Sequence, residues 1–236
     1  MDPTMYHLGF GNWILLFIPG LLLGLYAQMR LNSTYSHYSQ VGNRAGLSGA
    51  EAAREILNQA GLRQMPVQEV PGHLTDHYDP IRKRLCLSSE NYHGTSIAAI
   101  GVAAHEAGHA LQHKAAYAPL NFRMLLVPVT GIATNASIML SMFGVMMNAQ
   151  IFALAGVIIY GALCLFHLVT LPVEYDASRR AKDQLYALGM IDQTERAGVS
   201  RVLNAAALTY VAALVTALLT LLKFIIILRG NNRDSR

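Results

Sequence analysis

Ser96-Ile-Ala-Ala-Ile-Gly-Val-Ala-Ala-His-Glu-Ala-Gly-His-Ala-Leu111 is the stretch on which the reading of this chain turns. It contains His105-Glu106-Ala107-Gly108-His109, an H-E-x-x-H pattern in a small, apolar setting. On a helix, residues four apart project from one face, so both imidazoles can reach one ion. Glu106 points about 100° around the same helix, where it can accept a proton from a metal-activated water without being a ligand. A chain with nine His and seven Glu in 236 residues produces this pattern by chance about once in a hundred such chains. Polar residues buried in an Ala-rich helix carry a desolvation cost unless they are paired or bind metal. The spacing predicts a zinc site, Zn2+ being the expected cofactor, on a helix from Ser96 to about Tyr117.

Outward from this stretch the chain turns strongly apolar. It is 53% hydrophobic and 14% charged, with positive mean hydropathy; a soluble domain is nearer about 25% charged. The excess lies in four runs: Phe10 to Met29, Met124 to Met147, Ile151 to Leu171, and Ala205 to Leu228, the last interrupted by Lys223. Each reaches or nearly reaches the ~20 residues that cross a hydrocarbon core, and soluble helices rarely stay apolar that long. The first run has no basic leader and no A-x-A-like site after it. It also exceeds the ~7–15 residues of a signal h-region, so it reads as a retained anchor.

Lysine and arginine set the expected orientation. None precedes Phe10, nine fall from Arg30 to Arg123, five fall from Arg179 to Arg201, and Asn148-Ala-Gln150 has none. The positive-inside rule then puts the N-terminus outside and segments 30–123 and 172–204 in the cytoplasm, against the opposing bias of Arg229, Arg233 and Arg236. The expected organisation is a transmembrane anchor (1–30), a cytoplasmic part with the motif helix (31–121) and a transmembrane hairpin (122–171). A cytoplasmic helical segment (172–204) and a C-terminal transmembrane helix with its tail (205–236) complete it. The net charge of +4 comes from scattered basic residues near span ends, where anionic headgroups attract them. No aromatic-interleaved basic motif calls for nucleic acid. Cys86 and Cys164 form no C-x-x-C pair and read as packing residues of a reducing compartment.

Between the first run and the motif, Ser48-Gly49-Ala50-Glu51 is a capping box that opens a helix from Gly49 to Ala60, with Gly61 as its stop. Met65 to Val70 and Lys83 to Leu87 are candidate strands, and Pro71-Gly72 is a turn. His73 to Pro80 reads as a polar loop, with His77 and its neighbours as candidates for substrate contact. The strand Lys83–Leu87 is expected as an exposed edge, able to bind substrate in extended form.

A catalytic zinc has three protein ligands plus water. His113 is too far along the helix axis from His105, about 12 Å, to join it on one ion. The better candidate follows the third apolar run, in Leu171-Pro172-Val173-Glu174-Tyr175-Asp176-Ala177-Ser178-Arg179. Pro172 is expected to initiate a helix there. Glu174 is the favoured ligand and Asp176 the alternative; two residues apart on a helix, they face different directions. His167 is a further candidate partner for a ligand. Asp176, His77, Tyr175 and Arg179 are candidates for supporting the ligands or contacting substrate.

The run Val102 to Gln112, the upstream Leu74-Thr-Asp-His-Tyr-Asp-Pro80, and Pro172-Val-Glu-Tyr-Asp-Ala-Ser-Arg-Arg-Ala181 resemble the YugP-type zinc-dependent membrane proteases of bacteria. The resemblance covers nearly the whole chain. It implies a plasma-membrane zinc peptidase with zinc on His105 and His109 and with Glu106 as base. A wider likeness to the HtpX and CAAX-protease gluzincins aligns their ligand Glu on Glu174. There Ser178 stands where that group has Asp, so the usual carboxylate behind a ligand His is missing, with Asp176 or Asp76 as substitutes. The expected fold is a mainly α integral membrane protein, with about four transmembrane helices and a small α+β zincin-like cytoplasmic metalloprotease part.

The resulting expectation is an endopeptidase of the bacterial plasma membrane, multi-pass, with its active site on the cytoplasmic side. Its partners are the lipid bilayer and a protein or peptide substrate, with oligomeric state open. Oxyanion donors come from Tyr175, Arg179 or His77. No G-x-x-x-x-G-K-[ST] is present, so there is no ATP site, and no G-x-S-x-G serine motif occurs. The competing expectation is a membrane scaffold with a structural or vestigial zinc site. A metal-transport role is opposed by spans that carry almost no ionisable residues.

Overall fold

A computed structural model of the protein describes residues 18–147 and 149–234. In chain order the elements are α1 (Ile18–Ser39), α2 (Gly49–Gln59), β1 (Val67–Val70), β2 (His77–Asp79), β3 (Arg84–Ser88), α3 (Ser89–His93), α4 (Ile97–Lys114), α5 (Ala118–Met146), α6 (Gln150–Ala187) and α7 (Gln193–Asp234). The described residues fall into two compact units. One holds 18–26, 122–170 and 209–234; the other holds 27–121 and 171–208.

The first unit is helical and apolar. Among the described residues, two helices, Gln150–Ala187 and Gln193–Ile226, are long and apolar enough to cross a membrane by length and composition. A third candidate is the pair Ala118–Pro128 and Ala133–Gly144, bent by 58°. Pro128 lies beside that break, and a proline both lacks an N–H and crowds the carbonyl four residues earlier. The remaining apolar run, Phe10 to Met29, is described only from Ile18, so the first part of the expected anchor, residues 1–17, lies outside the described residues. Small residues let helices approach within this unit. A Cβ on Gly144 would meet the Ala153 backbone nitrogen at 2.2 Å, and one on Gly156 would meet Ser141 Oγ at 2.2 Å. Thr130 and Thr134 donate to the Val127 and Thr130 carbonyls, so their hydroxyls are spent on their own helix. Leu125, Met139, Ile151 and Ile158 stand exposed, a surface suited to lipid rather than water.

The second unit carries a buried hydrophobic core. Ser48 accepts from Glu51 N–H while the Glu51 carboxylate accepts from Ser48 N–H, the capping box expected for α2. Helix α2 buries Ala52, Ala53, Ile56 and Leu57, spaced as one helical stripe. They pack with Leu85 and Leu87 of β3, Ile100, Ala103, Ala104 and Ala107 of α4, Leu185 of α6, and Val199 and Leu203 of α7. Each fully buried Leu or Ile contributes about 2 kcal/mol by leaving water.

Two sequence expectations are corrected here. First, the sheet has the order β1-β3-β2: β1 pairs with β3 in parallel, Val67 opposite Leu85, and β2 pairs with it antiparallel, Tyr78 opposite Leu85. The Lys83–Leu87 segment is therefore the centre of the sheet, and both sides of its backbone are occupied. The polar loop supplies the third strand, β2, which is too short to show a periodicity. Second, α6 runs unbroken through Pro172 instead of starting there. Val173, Ala177, Ala181 and Leu185 recur every four residues and are each at most 1% exposed. Packing of that stripe outweighs the one backbone hydrogen bond the proline lacks.

Candidate metal centre

Helix α4 begins at an N-cap, with Ser96 Oγ accepting from Ala99 N–H at 3.1 Å. Two turns further on, His105 and His109 stand on one face, their ring centroids 4.7 Å apart and their planes at 82°. Helix α6 brings Glu174 opposite them. Its Oε2 lies 3.2 Å from His105 Nε2 and 3.7 Å from His109 Nε2. One donor atom from each of the three residues lies within 4.8 Å of the others, a group that could hold a metal ion.

The donor set fits zinc. Tetrahedral zinc at ~2.0–2.1 Å from its ligands sets neighbouring donors about 3.4 Å apart, and the two His–Glu separations bracket that spacing. Charge argues the same way. Glu174 is 2% exposed and Glu106 8% exposed, two carboxylates buried beside imidazoles that are neutral when they act as ligands. A dication offsets that charge where lone carboxylates would be costly. Without it, a proton does so. Burial pulls the His109 pKa down, but the Glu174 carboxylate 3.7 Å away outweighs burial and leaves it raised. Burial likewise pushes Glu174 up, and its hydrogen bond with His105 and the His109 imidazole beside it hold it well below the usual carboxylate range.

The other ring nitrogens are also engaged. His105 Nδ1 lies 3.1 Å from Ser178 Oγ, and His109 Nδ1 lies 3.0 Å from Gln112 Oε1. Ser178 thus makes the contact itself at the position where the wider likeness has Asp. Asp176 reaches His109 only through Gln112, whose Nε2 donates to Asp176 Oδ2 at 3.0 Å and to the Val173 carbonyl at 2.8 Å. Asp76 is occupied elsewhere in the unit. It accepts from Ser88 N–H at 2.8 Å and from Asn91 Nδ2 at 2.9 Å, pinning the 73–80 loop to β3 and α3.

The remaining candidates stand as follows. Asp176 does not join the His105, His109 and Glu174 group. Arg180 Nε donates to it at 2.6 Å, and Arg179 donates to it as well. Burial pushes Asp176 up, but the hydrogen bonds of Arg180, Gln112 and Arg179 leave its pKa lowered. Tyr175 is 49% exposed. His77 is exposed at the start of β2, with Nδ1 on the Thr75 carbonyl at 2.8 Å. His113 Nδ1 meets the Tyr78 hydroxyl at 2.7 Å, and burial, then Asp79, pushes that phenol up to about 12. His167 belongs to the other unit, its ring against Phe166. Sequence reasoning missed Gln112. The available signal was its place three residues after His109 on the same helix face.

The whole chain has relatives. Residues 13–229 match the family described as "Putative neutral zinc metallopeptidase". The "Putative membrane protease YugP" of Bacillus subtilis (strain 168) is 44% identical over 222 residues, covering 94% of this chain and 98% of that protein. No solved structure matches the chain. Full-length similarity at this identity, together with a family match over 13–229, makes the chain a member of the family described as "Putative neutral zinc metallopeptidase".

Proposed function

We propose that this chain is a zinc-dependent endopeptidase embedded in the bacterial plasma membrane, with its active site on the cytoplasmic side. The observation that carries the reading is the convergence of two imidazole Nε2 atoms and one Glu174 oxygen, with both Nδ1 atoms already engaged behind them. Family membership supports the zinc peptidase class, and the apolar helices of the first unit support membrane embedding. The Lys and Arg asymmetry supports the cytoplasmic side.

His105, His109 and Glu174 would hold the ion. When bound, zinc supplies Lewis acidity, lowering the pKa of a water towards ~7 and polarising the scissile carbonyl. Glu106 is buried on the motif helix, and its charge is felt at His109. It takes the proton of the attacking water and delivers it to the leaving amine. Ser178 and Gln112 orient the two imidazoles from behind.

The test is zinc per protomer in detergent-purified protein, followed by cleavage of a quenched fluorescent peptide library. About one zinc per chain, lost in His109→Ala and Glu174→Ala, is the expected result. Wild-type protein that takes up no zinc when it is supplied overturns the reading. Zinc binding without hydrolysis of any peptide or membrane-protein substrate leaves a scaffold.

A further inference from the structure

We propose that Gln112 is the positioning residue for His109: it fixes the imidazole with its proton on Nδ1, and Asp176 fixes Gln112. The inference rests on the zinc reading above and deepens it.

Gln112 is fully buried, and holding such a side chain in one conformation costs about 1.5–2 kcal/mol of entropy. Its hydrogen-bonding capacity is used on both sides. The Val173 carbonyl and the Asp176 carboxylate are acceptors only, so the amide NH2 must face them. The amide oxygen then faces His109 Nδ1 at 3.0 Å, and an oxygen with no proton can only accept. His109 must therefore donate from Nδ1, which leaves the Nε2 lone pair directed towards Glu174 Oε2, 3.7 Å away. Arg180 and Arg179 hold Asp176 as a carboxylate and so fix the far end of the chain.

His105 has no equivalent device. Ser178 Oγ, 3.1 Å from His105 Nδ1, can donate or accept, so it orients the ring without choosing the tautomer. The two ligands are thus unequal, and His109 is the one whose neutral tautomer the protein dictates. Gln112 also ties α4 to α6 through Val173 and Asp176, so a purely structural clamp is the competing role.

The experiment measures zinc affinity by competition with a chromophoric chelator, using full-length protein in detergent. Variants are Gln112→Met, which removes both functions, and Gln112→Glu/Asp176→Asn, which reverses the polarity. In the double variant a carboxylate accepts from His109, and the Asn amide donates to it. We expect Gln112→Met to weaken zinc about 10- to 100-fold, with helicity by circular dichroism unchanged. We expect the double variant to return to within about threefold of wild type, although it lacks the donor to Val173 and the carboxylate that Arg179 and Arg180 hold. Cobalt(II)-substituted wild-type protein should show an exchangeable, hyperfine-shifted imidazole N–H signal that exchanges faster with water in Gln112→Met and slows again in the double variant.

Unchanged affinity in Gln112→Met overturns the proposal. So does a double variant as weak as Gln112→Met, which leaves only the clamp. A wild-type protein without zinc overturns the zinc reading, and this inference with it.

Discussion

A Cβ on Gly108 would lie 2.6 Å from the Ala177 carbonyl oxygen. Gly108 separates His105 and Glu106 from His109 on α4, and Ala177 lies between Glu174 and Ser178 on α6. A close approach of these two backbones therefore occurs in the middle of the candidate ligand set. The second variable position of the H-E-x-x-H motif is a glycine because another helix backbone occupies the space where a side chain would be.

Gly108→Ala is expected to loosen the site. Alanine gains about 1 kcal/mol of helix propensity over glycine. Against that, the atom it meets is backbone, so the helices must move apart, at about 1–3 kcal/mol. Overpacking should win. Thermal unfolding in detergent should fall, and zinc per protomer should fall with it. A variant as stable as wild type, with full zinc, contradicts the close approach.

Glu106→Gln tests the base. Glutamine keeps the volume and cannot take a proton, and Glu106 stands outside the group of three that could bind metal. Zinc content should stay at about one per protomer while peptide cleavage falls about 10²–10⁴-fold. A variant that retains cleavage moves the base elsewhere.

Asp76→Ala separates a loop anchor from a metal-site role. The variant removes the Asp76 acceptor of Ser88 N–H and Ser88 Oγ, at 2.8 and 3.0 Å, and one of two acceptors of Asn91 Nδ2, at 2.9 Å, the other being Ser88 Oγ at 3.2 Å. Buried donors without partners cost about 1–3 kcal/mol each, so unfolding should come earlier. Zinc affinity should be unchanged, because Ser178 and Gln112 stand behind the two histidines instead. Weakened zinc in a protein of unchanged stability would restore Asp76 to the metal site.

The parts of this architecture written in the sequence are those set by local geometry. Two histidines four apart share a helix face whatever surrounds them, and the Ser48–Glu51 box needs only its own four residues. Four-residue spacing likewise marks the buried stripe that carries α6 through Pro172, although proline chemistry alone suggested a start there. What could not be read depends on contacts between distant segments. The place of β3 at the sheet centre requires β1 and β2 to come from opposite sides. Gln112 acquires its role only when Val173 and Asp176, 61 and 64 residues away, pack against it. Ser178 looked like a missing carboxylate, because the sequence does not reveal that a hydroxyl would lie 3.1 Å from His105.

Acid should strip the metal, and the sign follows from His109. In the metal-free protein its pKa is raised: burial lowers it, but the Glu174 carboxylate beside it prevails. A raised histidine stabilises the metal-free fold fully below its unfolded pKa, about 6.5, and that contribution is lost as pH climbs through the folded value. Glu174 is depressed because its hydrogen bond with His105 and the His109 imidazole beside it outweigh burial. Its contribution is present above about pH 4.3 and is lost as pH falls towards its folded value. Zinc binds neutral imidazole, so below the raised value it must displace the His109 proton. Affinity should then rise about tenfold per pH unit through the low end of the range and flatten once His109 is deprotonated unaided. Chelator competition from pH 6 to pH 9, with calorimetry in buffers of different ionisation heat, measures both the slope and the released proton. A flat profile with no proton release at pH 6 would show that His109 is already neutral before the metal arrives. In that case Glu174 would not be holding a proton on it.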